Sequence, residues 1–218
     1  MTNPNPIYFK QLELGPMQNF VYLVGDPQTR EAAVIDPGWE VPTILKTIQQ
    51  DDYRLTAAFV THHHFDHVMG LKDLLQAADL PIYVHRDDAP QLDVKRSSLK
   101  LVAGGETITV GSVPITVIHT PGHTPGSQCL LVDGRLFSGD TLFIRACGRW
   151  DLPGGDPTKL YESLTNKLKT LNDATILCPG HHYADVPMST IGEEKQTNPF
   201  LQPPTLQEFL RLIGHGRH

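Results

Sequence analysis

Residues 61–67, Thr-His-His-His-Phe-Asp-His, place four metal-capable side chains within six positions: His62, His64, Asp66 and His67. An apolar and β-branched run, 55–60, leads into them; Gly70 and a leucine-rich helical pattern follow. In extended chain, residues two apart face the same way, so His62 and His64 can grip one ion together. Asp66 and His67 fall beyond the strand end and point elsewhere, toward a second ion or a solvent network. Imidazole and carboxylate are the N and O donors that zinc, iron and manganese accept. A solvated loop at a strand end explains a lone His-x-His equally well. The denser His-x-His-x-Asp-His favours metal.

At 218 residues the chain can bury a sizeable core, and one domain spanning 1–218 is expected. Its 39% hydrophobic and 19% charged content fits a soluble globular protein. No stretch approaches the ~18 consecutive apolar residues of a membrane helix. The first residues carry no basic region followed by an apolar one, so no leader is expected. Cys129, Cys147 and Cys178 are odd in number and widely spaced, which argues against a disulfide framework and for a reducing, cytoplasmic location. A formal charge of −6 gives no electrostatic reason to bind nucleic acid or an anionic membrane. Of the eleven histidines, His215 and His218 read as tail.

Segments 7–14, 20–24 and 32–35 read as strands, with Gly25-Asp26-Pro27 a hairpin signal and Asp36-Pro37-Gly38 ending the third. Positions 41–50 have the apolar spacing of an amphipathic helix, 55–60 read as a buried strand, 71–78 as a helix and 82–84 as a strand. Residues 87–105 read as a polar surface excursion. Strands follow at 107–110, 115–119, 128–132 and 136–138, with Asp133-Gly134 a hairpin turn. Leucines 160, 164, 168 and 171 line one face of a helix over 160–171; a strand at 175–178 and helices at 191–196 and 206–212 close the chain. Two similar halves of strands and helices suggest a sandwich with helices outside both sheets.

Three more strand ends carry a ligand-capable residue. His123 sits in the tight loop Thr120-Pro121-Gly122-His123-Thr124-Pro125-Gly126, Asp140 follows Phe137-Ser138-Gly139, and His181 follows Cys178-Pro179-Gly180. Each alone reads as a turn residue; beside the 62–67 cluster they complete a ligand set. Five histidines and two aspartates can fill two adjacent sites if one carboxylate bridges, and two carboxylates with one hydroxide nearly balance two divalent ions. Asp140 is the natural bridge.

The series His62, His64, Asp66, His67, His123, Asp140, His181 resembles the full signature of the metallo-β-lactamase superfamily, in order along nearly the whole chain. The resemblance implies an αββα four-layer sandwich, α/β in class, with metals at one edge. It assigns His62, His64 and His123 to a first metal and Asp66, His67 and His181 to a second, with Asp140 bridging. His63, His119 and His182 match no ligand position. Zinc is the foremost metal implied, with iron and manganese as alternatives.

Ser138 to Phe143, followed by Cys147-Gly148-Arg149, is similar to the hydroxyacylglutathione hydrolases (glyoxalase II). Asp151-Leu152-Pro153-Gly154-Gly155-Asp156, with the stretches at 191–195 and 197–200, resembles their short bacterial branch. By that resemblance a hydroxide held between the metals attacks an S-acylglutathione-like thioester. Asp66 then orients that hydroxide or takes its proton, and Arg149 and Tyr183 contact the glutathione moiety. A small thioester or thiol is the expected partner, and a homo-oligomer is left open. The C-terminus departs from the longer enzymes, whose helical domain supplies further basic contacts; only about twenty residues follow Asn198. Persulfide dioxygenases share the scaffold and resemble residues 144–149, and in them one iron would be held by His62, His123 and Asp140, with the other four ligands able to be present as well; the 152–156 run favours the hydrolase. A true β-lactamase lacks the bridging aspartate. A non-catalytic metal-binding module is the remaining alternative, and nothing suggests the closed coordination it would need.

Overall fold

The computed structural model describes residues 6–214; His215 and His218 lie outside them. Six strands form the first sheet, in chain order: β1 (Tyr8–Leu14), β2 (Asn19–Asp26), β3 (Glu31–Ile35), β4 (Arg54–Phe59), β5 (Ile82–His85) and β6 (Leu99–Val102). The first three are antiparallel and β3 to β6 run parallel. The second sheet holds β7 (Thr107–Val110), β8 (Val113–His119), β9 (Gln128–Val132), β10 (Arg135–Gly139), β13 (Ile176–Pro179) and β14 (Ser189–Thr190). A hairpin of β11 (Leu142–Phe143) and β12 (Ala146–Cys147) stands apart.

The period-two alternation of side chains explains why the sheets stack. Along β2, Val21 and Leu23 face a helical layer, whereas Phe20, Tyr22 and Val24 face the opposite sheet. On β10 the split is Leu136 to the helices and Phe137 to the middle. Helix α1 (Val41–Gln50) buries Val41, Ile44 and Ile48, one helical stripe, against the first sheet. Two short helices follow, α2 (Phe65–Val68) and α3 (Leu71–Ala77), the latter in the same layer. On the far side, α4 (Pro157–Ser163), α5 (Ile191–Thr197) and α6 (Leu206–Gly214) cover the second sheet through Leu160, Ile191, Phe209 and Ile213. Helix, sheet, sheet, helix: the αββα order expected from the sequence.

Two local readings need correction. The excursion at 87–105 contains β6, which pairs parallel to β5 at the sheet edge. Its Lys100 and Leu101 are exposed, so the alternation that marks a buried strand is missing there. The helix read over 160–171 begins at Pro157, where Asp156 caps the Thr158 and Lys159 N–H groups at 2.9 and 3.0 Å. It then widens into a π turn at Leu164–Leu168. Leu160, Leu164 and Leu168 still share one buried face. The β11–β12 hairpin carries no mark in the sequence, because two-residue strands have no periodicity.

Each of the seven ligand candidates singled out in the sequence follows a strand's carboxyl end. The 61–67 segment leaves β4, His123 lies four residues beyond β8, Asp140 follows β10 directly, and His181 comes two residues after β13. The fold thus turns a scattered sequence pattern into one sheet edge.

Buried Asp26 ties the two sheets at another end, accepting the Gln28 and Ser112 N–H groups at 2.8 Å each. The Ser112 backbone bond, then that of Gln28, holds its carboxyl down at about 2, below the usual 3.8. A carboxyl depressed in the folded state stabilises above its unfolded pKa and ceases to as pH falls through the folded one. Asp26→Asn should therefore flatten the acid limb of the stability profile between about pH 4 and 2. Urea melts across that range check this; an unchanged slope would show that Asp26 does not couple protonation to folding.

Candidate metal centre

Two residues of the 61–67 segment are set by Asp36, at the end of the neighbouring parallel strand β3. Its carboxylate accepts the Thr61 N–H at 2.7 Å and the Thr61 hydroxyl at 2.6 Å, and it accepts from His67 Nδ1 at 3.0 Å. The last bond turns His67 Nε2 inward. Backbone packing is tight enough to require glycine: a Cβ on Gly38 would lie 1.8 Å from the Asp66 carbonyl oxygen, and one on Gly148 1.7 Å from that of Asp140.

The seven residues picked out in the sequence converge. One donor atom each from His62, His64 and His123 lies within 4.8 Å of the others, and the same holds for Asp66, His67 and His181. Asp140 stands between the groups and offers one oxygen to each. Its Oδ2 lies 3.5 Å from His123 Nε2 and 4.0 Å from His62 Nε2, its Oδ1 3.4 Å from His67 Nε2 and 3.5 Å from His181 Nε2. Within the groups, His64 Nδ1 is 2.9 Å from His123 Nε2, and the Nε2 atoms of His67 and His181 are 3.2 Å apart.

The far ring nitrogens are held as ligating imidazoles require. His123 Nδ1 donates to the Arg149 carbonyl at 2.7 Å and His181 Nδ1 to that of Met17 at 2.9 Å, as His67 does to Asp36. Asn19 donates to Asp66 Oδ2 at 2.9 Å and accepts from the Trp39 indole at 2.8 Å. His62 Nε2 and Asp140 Oδ1 are buried with no hydrogen-bond partner. Orphaned acceptors in a set of imidazole and carboxylate donors are what divalent metals would satisfy, so the residues fit two such ions.

Charge is distributed unevenly. Burial, aided by the nearby His67 charge, pushes His62 well below its usual pKa, and burial with His123 brings His64 down to about 4. Burial opposes protonation of His67 and His181 too, but Asp140 overcomes it, together with Asp36 for His67 and Asp66 for His181, which rises to about 9. Burial would raise Asp66, yet bonds from His181, His67 and Asn19 hold it low.

His85, Asp87 and His119 form a further group with donors within 4.8 Å. Their two rings stack at 3.9 Å and 11°, which aims the in-plane lone pairs in parallel. In the main cluster the rings in contact stand at 51 to 87° to one another, so their lone pairs converge. Both stacked rings also engage backbone carbonyls, of Ala103 and Pro125. His63 turns away to Asp88, 3.0 Å from its Nδ1, and His182 to Glu13 at 2.8 Å.

A cavity of about 590 Å³ opens over the cluster. Arg149 and Tyr183 lie on its rim: the guanidinium bonds Asp151 at 2.9 and 3.1 Å, and the Tyr183 ring stacks on His181 at 4.6 Å. Cys147 also lines it, but burial pushes its thiol far up, as it does those of Cys129 (about 11) and Cys178 (about 12), so none is a poised nucleophile.

Residues 14–181 match the family model for the metallo-beta-lactamase superfamily. The chain belongs to that superfamily. Among its relatives there, hydroxyacylglutathione hydrolase of Salmonella typhi is 37% identical over 166 residues, covering 76% of this chain and 62% of that one. Human mitochondrial persulfide dioxygenase ETHE1 is 33% identical over 216 residues, covering 96% and 82%. The crystal structure of ETHE1 from Myxococcus xanthus superposes with a TM-score of 0.88 at 33% identity, covering 97% of this chain and 92% of that one.

Asp36, Asp88 and Asn19 escaped the sequence reading. Asp88, fully buried, accepts the His63 N–H at 2.9 Å, the Thr124 hydroxyl at 2.7 Å and the Gly126 N–H at 2.7 Å, so it ties the 61–67 segment to the His123 loop. Asp36 showed only as part of the turn that ends β3, and no sequence signal marked Asp88 or Asn19.

If Asp140 spans both groups, Asp140→Asn should lower metal content from two ions per chain to one or fewer. Elemental analysis of the purified protein decides it, and two retained ions would remove the bridging role.

Proposed function

We propose that the chain is a metal-dependent thioester hydrolase of the hydroxyacylglutathione hydrolase type. In this reading His62, His64 and His123 hold one divalent metal, Asp66, His67 and His181 a second, and Asp140 both. The observation that carries the proposal is the Leu152-Pro153-Gly154-Gly155-Asp156 run, which places Leu152 and Pro153 in the wall of the metal cavity. Asp66, His67 and His181 are buried and convergent, and Asp140 turns a separate oxygen toward each set. A mononuclear oxygenase uses three of these residues and can carry the other four as well, so the ligand set is common to both readings.

Bound divalent metals supply Lewis acidity toward a carbonyl and bring the pKa of water toward neutrality. The remaining work falls to the chain. Asp66, fixed by Asn19, orients the attacking water at the cavity floor and receives its proton. The walls contributed by Met17, Phe143, Leu152 and Pro153 hold the thioester and limit bulk water beside it. A thiolate leaves readily, so no strong general acid is required. Tyr183 packs against the substrate over His181, and Arg149 meets a carboxylate of the glutathione moiety at the rim.

The second reading is a persulfide dioxygenase using His62, His123 and Asp140 around one iron. It is favoured by the 96% of this chain that aligns with human ETHE1. Two assays on metal-analysed protein separate the readings. Free thiol released from S-lactoylglutathione under anaerobic conditions, with two metals per chain, is the expected result. Oxygen uptake with glutathione persulfide at one iron per chain would overturn it.

The Asp151 carboxylate already engages Arg149, which weakens the rim's grip on an anion. Arg149→Ala should raise KM for S-lactoylglutathione about two- to fivefold with kcat little changed, as expected for an exposed ion pair. Asp151→Asn should lower KM. Steady-state kinetics test both, and a fall in kcat alone for Arg149→Ala would place it outside glutathione binding.

A further inference from the structure

The two ligand groups are not anchored alike. In the second, every donor is buried and has a fixed partner: Asn19 bonds Asp66, His67 donates to Asp36, and His181 donates to the Met17 carbonyl. In the first, the Arg149 carbonyl holds His123 Nδ1 at 2.7 Å, and His62 Nδ1 lies 3.1 Å from the Thr61 hydroxyl, itself bonded to Asp36. His64 differs. It is only half-buried, its Nδ1 faces His123 Nε2 at 2.9 Å, and among the described residues no hydrogen-bonding group engages its Nε2. An imidazole without an anchor on its other nitrogen keeps rotational freedom that binding a metal must remove.

What places His64 must therefore act through its backbone, and that backbone is pinned by Asp88. Asp88 Oδ2 accepts the His63 N–H at 2.9 Å, one residue before His64, and the Thr124 hydroxyl at 2.7 Å, one residue after His123. Its Oδ1 accepts the Gly126 N–H at 2.7 Å. The carboxylate is fully buried, and a Cβ on Gly126 would lie 2.6 Å from its Cγ, so the two loops close on it with no slack. One side chain thus sets the spacing of His64 and His123, and none of these three bonds reaches Asp66, His67 or His181. From this asymmetry we infer that the His62, His64 and His123 group is the weaker, exchangeable metal site, and that Asp88 is the positioning residue that sets its affinity. The inference rests on the dinuclear reading of the site.

Zinc titrations of the metal-free full chain against a competing chelator dye test it, and they read metal bound rather than turnover. The wild type should take up two ions in steps about tenfold or more apart in Kd. Asp88→Asn keeps the shape but sets an amide NH2 where a donor is now accepted. It should weaken the looser step about 10- to 100-fold and leave the tighter one within about twofold. The tighter step is the folding control, since a misfolded variant loses both. Thr124→Val should show part of this loss and Thr124→Ser little. Two backgrounds identify the site. In His181→Ala, which cripples the second group, Asp88→Asn should still weaken the remaining ion about tenfold or more; in His123→Ala it should change it by less than about twofold. Loss spread equally over both steps, or falling on the tighter one, overturns the inference and leaves the dinuclear reading standing. So does a looser ion that survives His123→Ala. A wild type that takes up one ion under saturating zinc overturns both.

Discussion

Five imidazoles and two carboxylates share one largely buried pocket, and this crowding is unfavourable unless positive charge is held among them. In the protein alone, that charge sits on one side. His67 and His181 favour their protonated forms between Asp36, Asp66 and Asp140, whereas His62 and His64 favour neutrality. The Nε2 atoms of His67 and His181, 3.2 Å apart, face each other across a gap that two protons fill poorly. A divalent cation can replace those protons and satisfy the same carboxylates at once, which couples metal uptake to proton release. The donor set is therefore better matched to cations than to a hydrogen-bond network.

Holding such a pocket open falls to residues one layer farther out. Asp36 sets Thr61 and His67, Asp88 joins the 61–67 segment to the His123 loop, and Asn19 fixes Asp66. All three act across sequence separations that only the sheets can close. Parallel pairing of β3 with β4 brings Asp36 beside Thr61, and the chain after β5 delivers Asp88. The stacked sheets thus do more than bury a core: they aim loops from different strands at a common edge.

The sequence reveals the donors better than their supports, for a physical reason. His62, His64, Asp66 and His67 declare themselves by density, and His123, Asp140 and His181 by following strand ends. Asp36 before Pro37-Gly38 is indistinguishable from a turn aspartate, and Asp88 sits in a polar stretch whose partners lie about 25 to 38 residues away. The layered fold was legible because the strands buried on both faces, β2 above all, carry continuous apolar runs. The edge strand β6 was not, because half of it faces water.

The segment at 191–198 has a definite task. Glu194, fully buried, accepts the Arg145 N–H at 2.7 Å, and Asn198 donates to the Phe143 and Ala146 carbonyls at 3.0 Å each. Arg145 is held there with φ of 56°, a left-handed conformation that costs energy for a residue with a side chain. These bonds offset that cost and fix the β11–β12 hairpin, which carries Phe143 and Cys147 into the cavity wall. The segment at 191–198 therefore shapes the cavity without entering it. It buttresses the hairpin wall of the cavity from outside.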